Sequence, residues 1–178
     1  MACSIDVELR EITPTDMPQL LALNHASVQE LSELDLRRLQ LILSLAHRSL
    51  AVERAGEVVG FALAIAPGTS YDSRNYRWFG ARFERFLYLD RVVVATPLRR
   101  RGIAGRLYDA MEATPGRFQR MVCDVNVLPP NEPSLAFHAA RGYLEIGRLA
   151  HAPEKVVALL SKDLENPTAR GPASERLP

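Results

Sequence analysis

Residues 86–108 read FLYLDRVVVATPLRRRGIAGRLY, and this stretch decides the fold. Leu87, Leu89, Val92, Val93 and Val94 make Phe86 to Val94 nearly continuous in apolar residues, as a central strand covered on both faces requires. A short loop follows, and Gly102, Ala104 and Gly105 open a helix that runs to about Ala113, where Thr114-Pro115-Gly116 ends it. Downstream, Met121 to Val127 predicts the next strand. Pro129-Pro130-Asn131-Glu132-Pro133 precedes a short helix closed by Gly142, and Tyr143 to Ala150 and Lys155 to Leu160 predict two last strands.

Upstream, Val7 to Ile12 alternates apolar and charged residues as a half-buried strand does. Thr13-Pro14-Thr15-Asp16 starts a helix with Leu20, Leu21 and Leu23 on its apolar face, and a second helix is expected from about Glu33 to His47. Ser49 to Glu53 and Val58 to Ala66 flank Arg54-Ala55-Gly56-Glu57, a hairpin signal. Between Pro67 and about Arg82 periodicity vanishes, although Tyr71, Tyr76 and Trp78 argue against disorder. Helices, a hairpin, then strand–helix–strand–helix–strands describe an α/β (α+β) chain with a mixed sheet.

The chain has 178 residues, enough for one domain over 1–165 with a flexible C-terminal tail at 166–178. Apolar residues at 47% and charged residues at 24% exclude global disorder and fibrous repeats. The start, Met1-Ala2-Cys3-Ser4-Ile5-Asp6, has neither a basic region nor an apolar core, so no signal peptide is expected. Cys3 and Cys123 alone offer no disulfide framework or zinc site, and the expectation is a cytoplasmic protein without metal. A net charge of +1 gives no reason to expect nucleic acid or membrane as partner. Anion binding must come from a local cluster.

Such a cluster lies at the helix opened by Gly102. First-turn N–H groups have no partners within a helix and carry the positive end of its dipole. Small residues let a phosphate approach the backbone, and Arg99, Arg100, Arg101 and Arg106 add charge. The competing reading is a solvated basic loop beside an ordinary helix start. A Walker loop is excluded because Gly-Lys-Ser/Thr is missing, and a Rossmann loop because its first glycines are missing.

What remains, Arg99-x-x-Gly102-x-Ala104 after Val92-x-Val94-x-x-Pro97, resembles motif A of the GNAT N-acetyltransferases. Asn131-x-x-Ser134-x-x-Phe137-His138-x-x-x-Gly142-Tyr143 is similar to that family's motif B, and the resemblance covers roughly residues 5 to 162. It implies the GNAT fold: a mostly antiparallel sheet of six to seven strands, flanked by helices and splayed between the fourth and fifth. It also implies acetyl-CoA as co-substrate, with the pantetheine arm entering the gap along the backbone of Val92, Val93 and Val94. Arg99, Arg101, Gly102, Ile103, Ala104, Gly105 and Arg106 match the pyrophosphate loop, with backbone N–H groups weighing more than guanidinium groups.

Asn131, Ser134 and His138 are spaced three and four apart, which puts Ser134 and His138 on one helical stripe. By spacing alone they read equally as a turn residue and a surface histidine. The resemblance places Asn131 at the pantetheine and His138 at the thioester, where many members carry a tyrosine that protonates the departing thiolate. Histidine can do the same chemistry. For the amine's proton, Asp90 is the first candidate, since a carboxylate in so apolar a strand is costly unless it has a partner. Pairing with Arg91 would explain it as well, and Glu84, Glu30 and Glu33 are weaker candidates.

Tyr71, Asp72, Tyr76 and Trp78 suit a small cationic amine, or equally a loop that tucks its aromatics into the domain edge. The expected activity is transfer of an acetyl group from acetyl-CoA to a primary amine by direct attack in a ternary complex. The acceptor stays open among amino acid, polyamine, aminoglycoside, peptide N-terminus and lysine side chain, and the resemblance leaves room for a homodimer. The alternative is a non-catalytic sensor that binds coenzyme A, kept open by the missing motif B tyrosine.

Overall fold

A computed structural model describes residues 6–27, 31–114 and 118–164. Seven strands form one sheet: β1 (Glu8–Glu11), β2 (Ala46–Arg54), β3 (Glu57–Ile65), β4 (Phe86–Val94), β5 (Arg120–Leu128), β6 (Leu144–Ala152) and β7 (Lys155–Asp163). Their order across the sheet is β1-β2-β3-β4-β5-β7-β6. Among the described residues five α-helices flank it: α1 (Met17–His25), α2 (Leu36–Leu45), α3 (Arg74–Gly80), α4 (Ile103–Glu112) and α5 (Glu132–Ala140). The expected mixed, mostly antiparallel sheet is present, with β4 and β5 its one parallel pair among the described residues.

Local chemistry sets the element boundaries. The hairpin between β2 and β3 turns on Ala55 and Gly56, both at positive φ (51° and 83°), matching the twist of the flanking strands. Asp35 caps α2 by accepting from the Arg38 N–H at 2.6 Å, so that helix starts later than its periodicity predicts. It also stops at Leu45, because His47, expected at the helix end, belongs to β2. The segment expected to lack periodicity holds the short helix α3, with Ser73 accepting from the Tyr76 N–H at 3.3 Å. Seven residues are too few for a readable apolar stripe.

The core lies in two layers. On one face α4 and α5 pack through Ile103, Leu107, Met111 and Phe137 onto Leu87, Leu89, Met121 and Cys123. On the other, Leu20, Leu39, Ile42 and Phe79 of α1, α2 and α3 cover Phe61, Phe86, Tyr88 and Val122. Strand β4 changes parity along its length. Leu63 pairs with Arg91 but Ala64 pairs with Leu89, which leaves Asp90 as the extra residue of a bulge. Before it, odd-numbered residues face α4; after it, Val92 and Val94 do, while Val93 turns to the opposite layer.

Strands β4 and β5 pair only at Phe86↔Arg120, Leu87↔Met121 and Tyr88↔Val122. Beyond Tyr88 the two part, while β5 stays paired with β7 from Arg120 to Leu128, broken only by an irregularity at Val127. Residues 89–94 therefore keep one ladder edge without a strand partner, as expected of a splayed sheet. Cys3, Glu30 and the tail 166–178 lie outside the described residues. No helix among the described residues is long and apolar enough to cross a membrane.

Candidate active site

A cleft of about 600 Å³ opens where β4 and β5 part, and it reaches through the sheet from one helical layer to the other. On the α4 side its wall includes Val92, Val94, Arg99, Ala104, Asn131, Ser134 and His138, with Val93 lining it from the opposite layer. On the α3 side it includes Tyr71, Tyr88, Asp90, Asp124, Asn75 and His151.

The α4 end has the features of an anion cradle. Gly102 sits at φ +82° as the N-cap of α4, a conformation that strains any residue with a side chain. A Cβ built on Gly102 meets nothing within 4 Å, so the space above the loop is open. Ile103 is an exception among the loop residues, because its side chain is buried in the core. Arg99, Arg100 and Ala104 line the cleft; Gly102, Ile103 and Gly105 do not, nor do the exposed Arg101 and Arg106. Arg99 turns its guanidinium inward, donating to the Val94 carbonyl at 3.3 Å and to Ser27 Oγ at 3.1 Å. These residues fit coenzyme A: an unpaired strand edge for the arm and an open, small-residue helix start for the phosphates.

Asn131 caps α5, accepting from the Ser134 N–H at 3.2 Å, and so fixes where the helix presents His138. His138 is buried. Its Nδ1 lies 2.7 Å from the Ser134 carbonyl, which can only accept, so Nδ1 carries the proton. Nε2 then accepts from the Tyr108 hydroxyl at 2.6 Å. Burial holds the imidazole pKa below its usual value, with the Ser134 carbonyl hydrogen bond opposing. In this arrangement no N–H of His138 faces the cleft, contrary to what a proton donor to sulfur requires. Tyr108, on α4, was not singled out by the sequence, because at helical spacing it reads as a core residue.

Two carboxylates stand at the other end. The Asp90 side chain is only 5% exposed, yet it lines the cleft from the bulge. One oxygen accepts from the Tyr71 hydroxyl at 2.5 Å; Oδ2 has no hydrogen-bond partner and lies 3.6 Å from Arg91 Nε. Arg91 spends its other donors elsewhere, on Asn24 Oδ1 and on the Ser32 carbonyl and hydroxyl at 3.0 and 2.9 Å. The expected Asp90–Arg91 pairing is thus present but incomplete. Asp124, on β5, accepts from the Tyr88 hydroxyl at 2.7 Å. Removal from water pushes its carboxyl up to about 6, with the Tyr88 hydrogen bond opposing and the Asp90 charge reinforcing. Asp124 was readable by the argument applied to Asp90, a lone carboxylate among Met121, Val122 and Val125.

The aromatic segment divides. Tyr71 lines the cleft. Asp72 does not; it is exposed and pairs with Arg38 at 2.7 Å. Tyr76 is buried, donating to the Ala66 carbonyl at 2.8 Å amid Tyr71, Phe86 and Tyr88. Trp78 packs its ring on Gly147 of β6 and under the Arg82 guanidinium at 3.7 Å. Tyr76 and Trp78 therefore tuck into the domain. Tyr76→Ala is expected to cost about 3–5 kcal/mol of stability, as truncation of a buried aromatic does. Urea unfolding checks this; a stable variant with only a raised amine KM would return Tyr76 to the substrate site. Glu84 and Glu33 are exposed and do not line the cleft. Among the described residues no group of three His, Cys, Asp or Glu could hold a metal ion.

A family model described as Acetyltransferase (GNAT) family matches residues 9–143. No curated protein matches the chain by sequence. Among solved structures, Ard1 from Thermoplasma volcanium is similar at a TM-score of 0.74 and 16% identity, covering 91% of this chain and 100% of its own. Arabidopsis thaliana NAA60 in complex with acetyl-CoA gives 0.69 at 17% identity, covering 89% of this chain and 99% of that one. Ribosomal-protein-alanine N-acetyltransferase from Brucella melitensis gives 0.67 at 23%, covering 88% and 99%. At these identities the likeness is one of fold.

Proposed function

The chain belongs to the GNAT acetyltransferase family, and on that premise we propose that it acetylates a primary amine by direct attack in a ternary complex with acetyl-CoA. The observation that carries this reading is the parting of β4 and β5 after Tyr88, which opens one cleft to both helical layers. An anion cradle at one end and carboxylates at the other suit two substrates that meet in the middle. Acetyl-CoA supplies the acetyl thioester when bound.

The chain's own residues divide the work. The unpaired edge of Val92–Val94 and the cap residue Asn131 hold the arm, and the α4 N-terminus with Gly102 and Ala104 faces the phosphates. Asp90 attracts the ammonium with the oxygen that accepts no hydrogen bond, and Asp124 takes one proton to leave a neutral amine. The nitrogen lone pair then bonds to the acetyl carbon as the carbon–sulfur bond breaks with its electron pair on sulfur. The nitrogen's second proton ends on that sulfur, and the first passes from Asp124 to water. We assign His138 to positioning Tyr108, because both its ring nitrogens are occupied.

Purified protein with acetyl-CoA and a panel of primary amines is expected to release coenzyme thiol only when an amine is present. A protein that bound coenzyme A without turnover across the panel would be the sensor instead.

A further inference from the structure

Cations outnumber carboxylates in the cleft wall: Arg91 lies buried beside Asp90, and Arg38, Arg74, Arg99, Arg100 and Lys155 line it elsewhere. Asp90 and Asp124 are the only acidic residues in its wall among the described residues, and both lie in its depth, each holding a tyrosine hydroxyl. Asp90 Oδ2 accepts no hydrogen bond, and its charged neighbour, Arg91 Nε, stands 3.6 Å away, so the oxygen keeps acceptor capacity for a further donor. The wall also includes Arg74, at the start of α3, and Lys155, at the start of β7. Both are exposed, and among the described residues neither forms a salt bridge; Arg74 makes one long contact, 3.3 Å, to the Ala150 carbonyl.

Depth and mouth are linked by a short relay. His151 donates from Nε2 to Asn75 Oδ1 at 2.9 Å, and the Asn75 amide hydrogen-bonds Asp124. Burial holds the His151 pKa below its usual value, and the nearby charges of Arg74 and Lys155 lower it further. The cationic pair is therefore two side chains away from the buried carboxylate. A polycationic acceptor would gain at Asp90 and Asp124 but lose against Arg74 and Lys155 on entry. An amine that carries its own anion gains at both.

We propose that the acceptor is a small amino carboxylate, its ammonium held at Asp90 and Asp124 and its carboxylate at Arg74 and Lys155. This deepens the acetyltransferase reading and rests on it. It selects free amino acids from the open set and disfavours polyamines and aminoglycosides.

The test compares three amine sets with acetyl-CoA: free L-amino acids, the same amino acids as C-terminal amides, and putrescine. The best free amino acid is expected to exceed its own amide and putrescine by at least about tenfold in kcat/KM. Arg74→Ala and Lys155→Ala are each expected to raise its KM roughly tenfold while leaving turnover of the amide little changed. Equal or better use of the amides, of putrescine or of a peptide N-terminus would overturn the inference and leave the acetyltransferase reading intact. No thiol release with any amine would refute that reading instead. In that case calorimetry of the amino acids with the protein–coenzyme A complex decides: binding weakened by Arg74→Ala supports the subsite, and no binding overturns it.

Discussion

Asp124→Asn is expected to lower kcat/KM by roughly 10²–10⁴, the usual contribution of a positioned base. The same variant should lose the acid limb of the pH profile. In the wild type the carboxyl is pushed up to about 6 by its removal from water, so the base is ionised and active above that pH and protonated below it. Activity should rise with pH through about 6 and level off, and the Asn variant should be flat there. Stability supplies an independent readout with a different sign. A carboxyl whose folded pKa lies above its unfolded value contributes stability below the unfolded pKa and loses it as pH rises through the folded value. The Asn variant cannot ionise and keeps the acceptor for Tyr88. Its stability relative to wild type should therefore grow between about pH 4 and 7. A variant that is inactive and also progressively less stable at high pH would mark Asp124 as structural. Full activity would move the base to Asp90.

The opposing trends for one residue reflect how the site is built, and how much of it was legible. The strand at Phe86–Val94, the loop and the helix after Gly102 are all local signals, and they lie where the periodicity and small residues place them. The glycine-rich start could be read because a positive φ has a chemical signature in the residue itself. The split of β4 from β5 could not be read from pattern, since a strand that loses its partner is as apolar as one that keeps it; the family resemblance carried that expectation. Pairwise meetings were equally hidden. Tyr108 and His138 are thirty positions apart and Tyr88 and Asp124 thirty-six, and nothing in either strand or helix announces the other. The aromatic segment misled for a related reason. Tyr71, Tyr76 and Trp78 share composition, but the periodicity of α3 sends Tyr76 inward with Phe79 and turns Trp78 onto Gly147, while Tyr71, before the helix, reaches the cleft. Asp90 illustrates the converse: its cost in an apolar strand was visible, but the bulge that lets it reach the cleft depends on register with β3.

Gly102→Glu is expected to remove acetyl-CoA binding from a chain that still folds. The backbone at φ +82° imposes about 1–2 kcal/mol on any side chain, a cost most domains survive. No clash adds to it, because a Cβ there meets nothing within 4 Å. A carboxylate at the start of α4 even interacts favourably with the helix dipole, by about 0.3–1 kcal/mol. The same charge would then occupy the position the cradle holds for phosphate. Two unit charges about 4 Å apart near a protein surface repel by roughly 4 kcal/mol, on the order of a thousandfold in Kd. Gly102→Ala separates the two effects, since it carries the backbone strain without the charge and should weaken binding by less than about tenfold. Calorimetry on both variants, with circular dichroism to confirm folding, makes the comparison. Equal losses would place the effect in loop geometry, and undiminished affinity in folded Gly102→Glu would remove the phosphates from this helix.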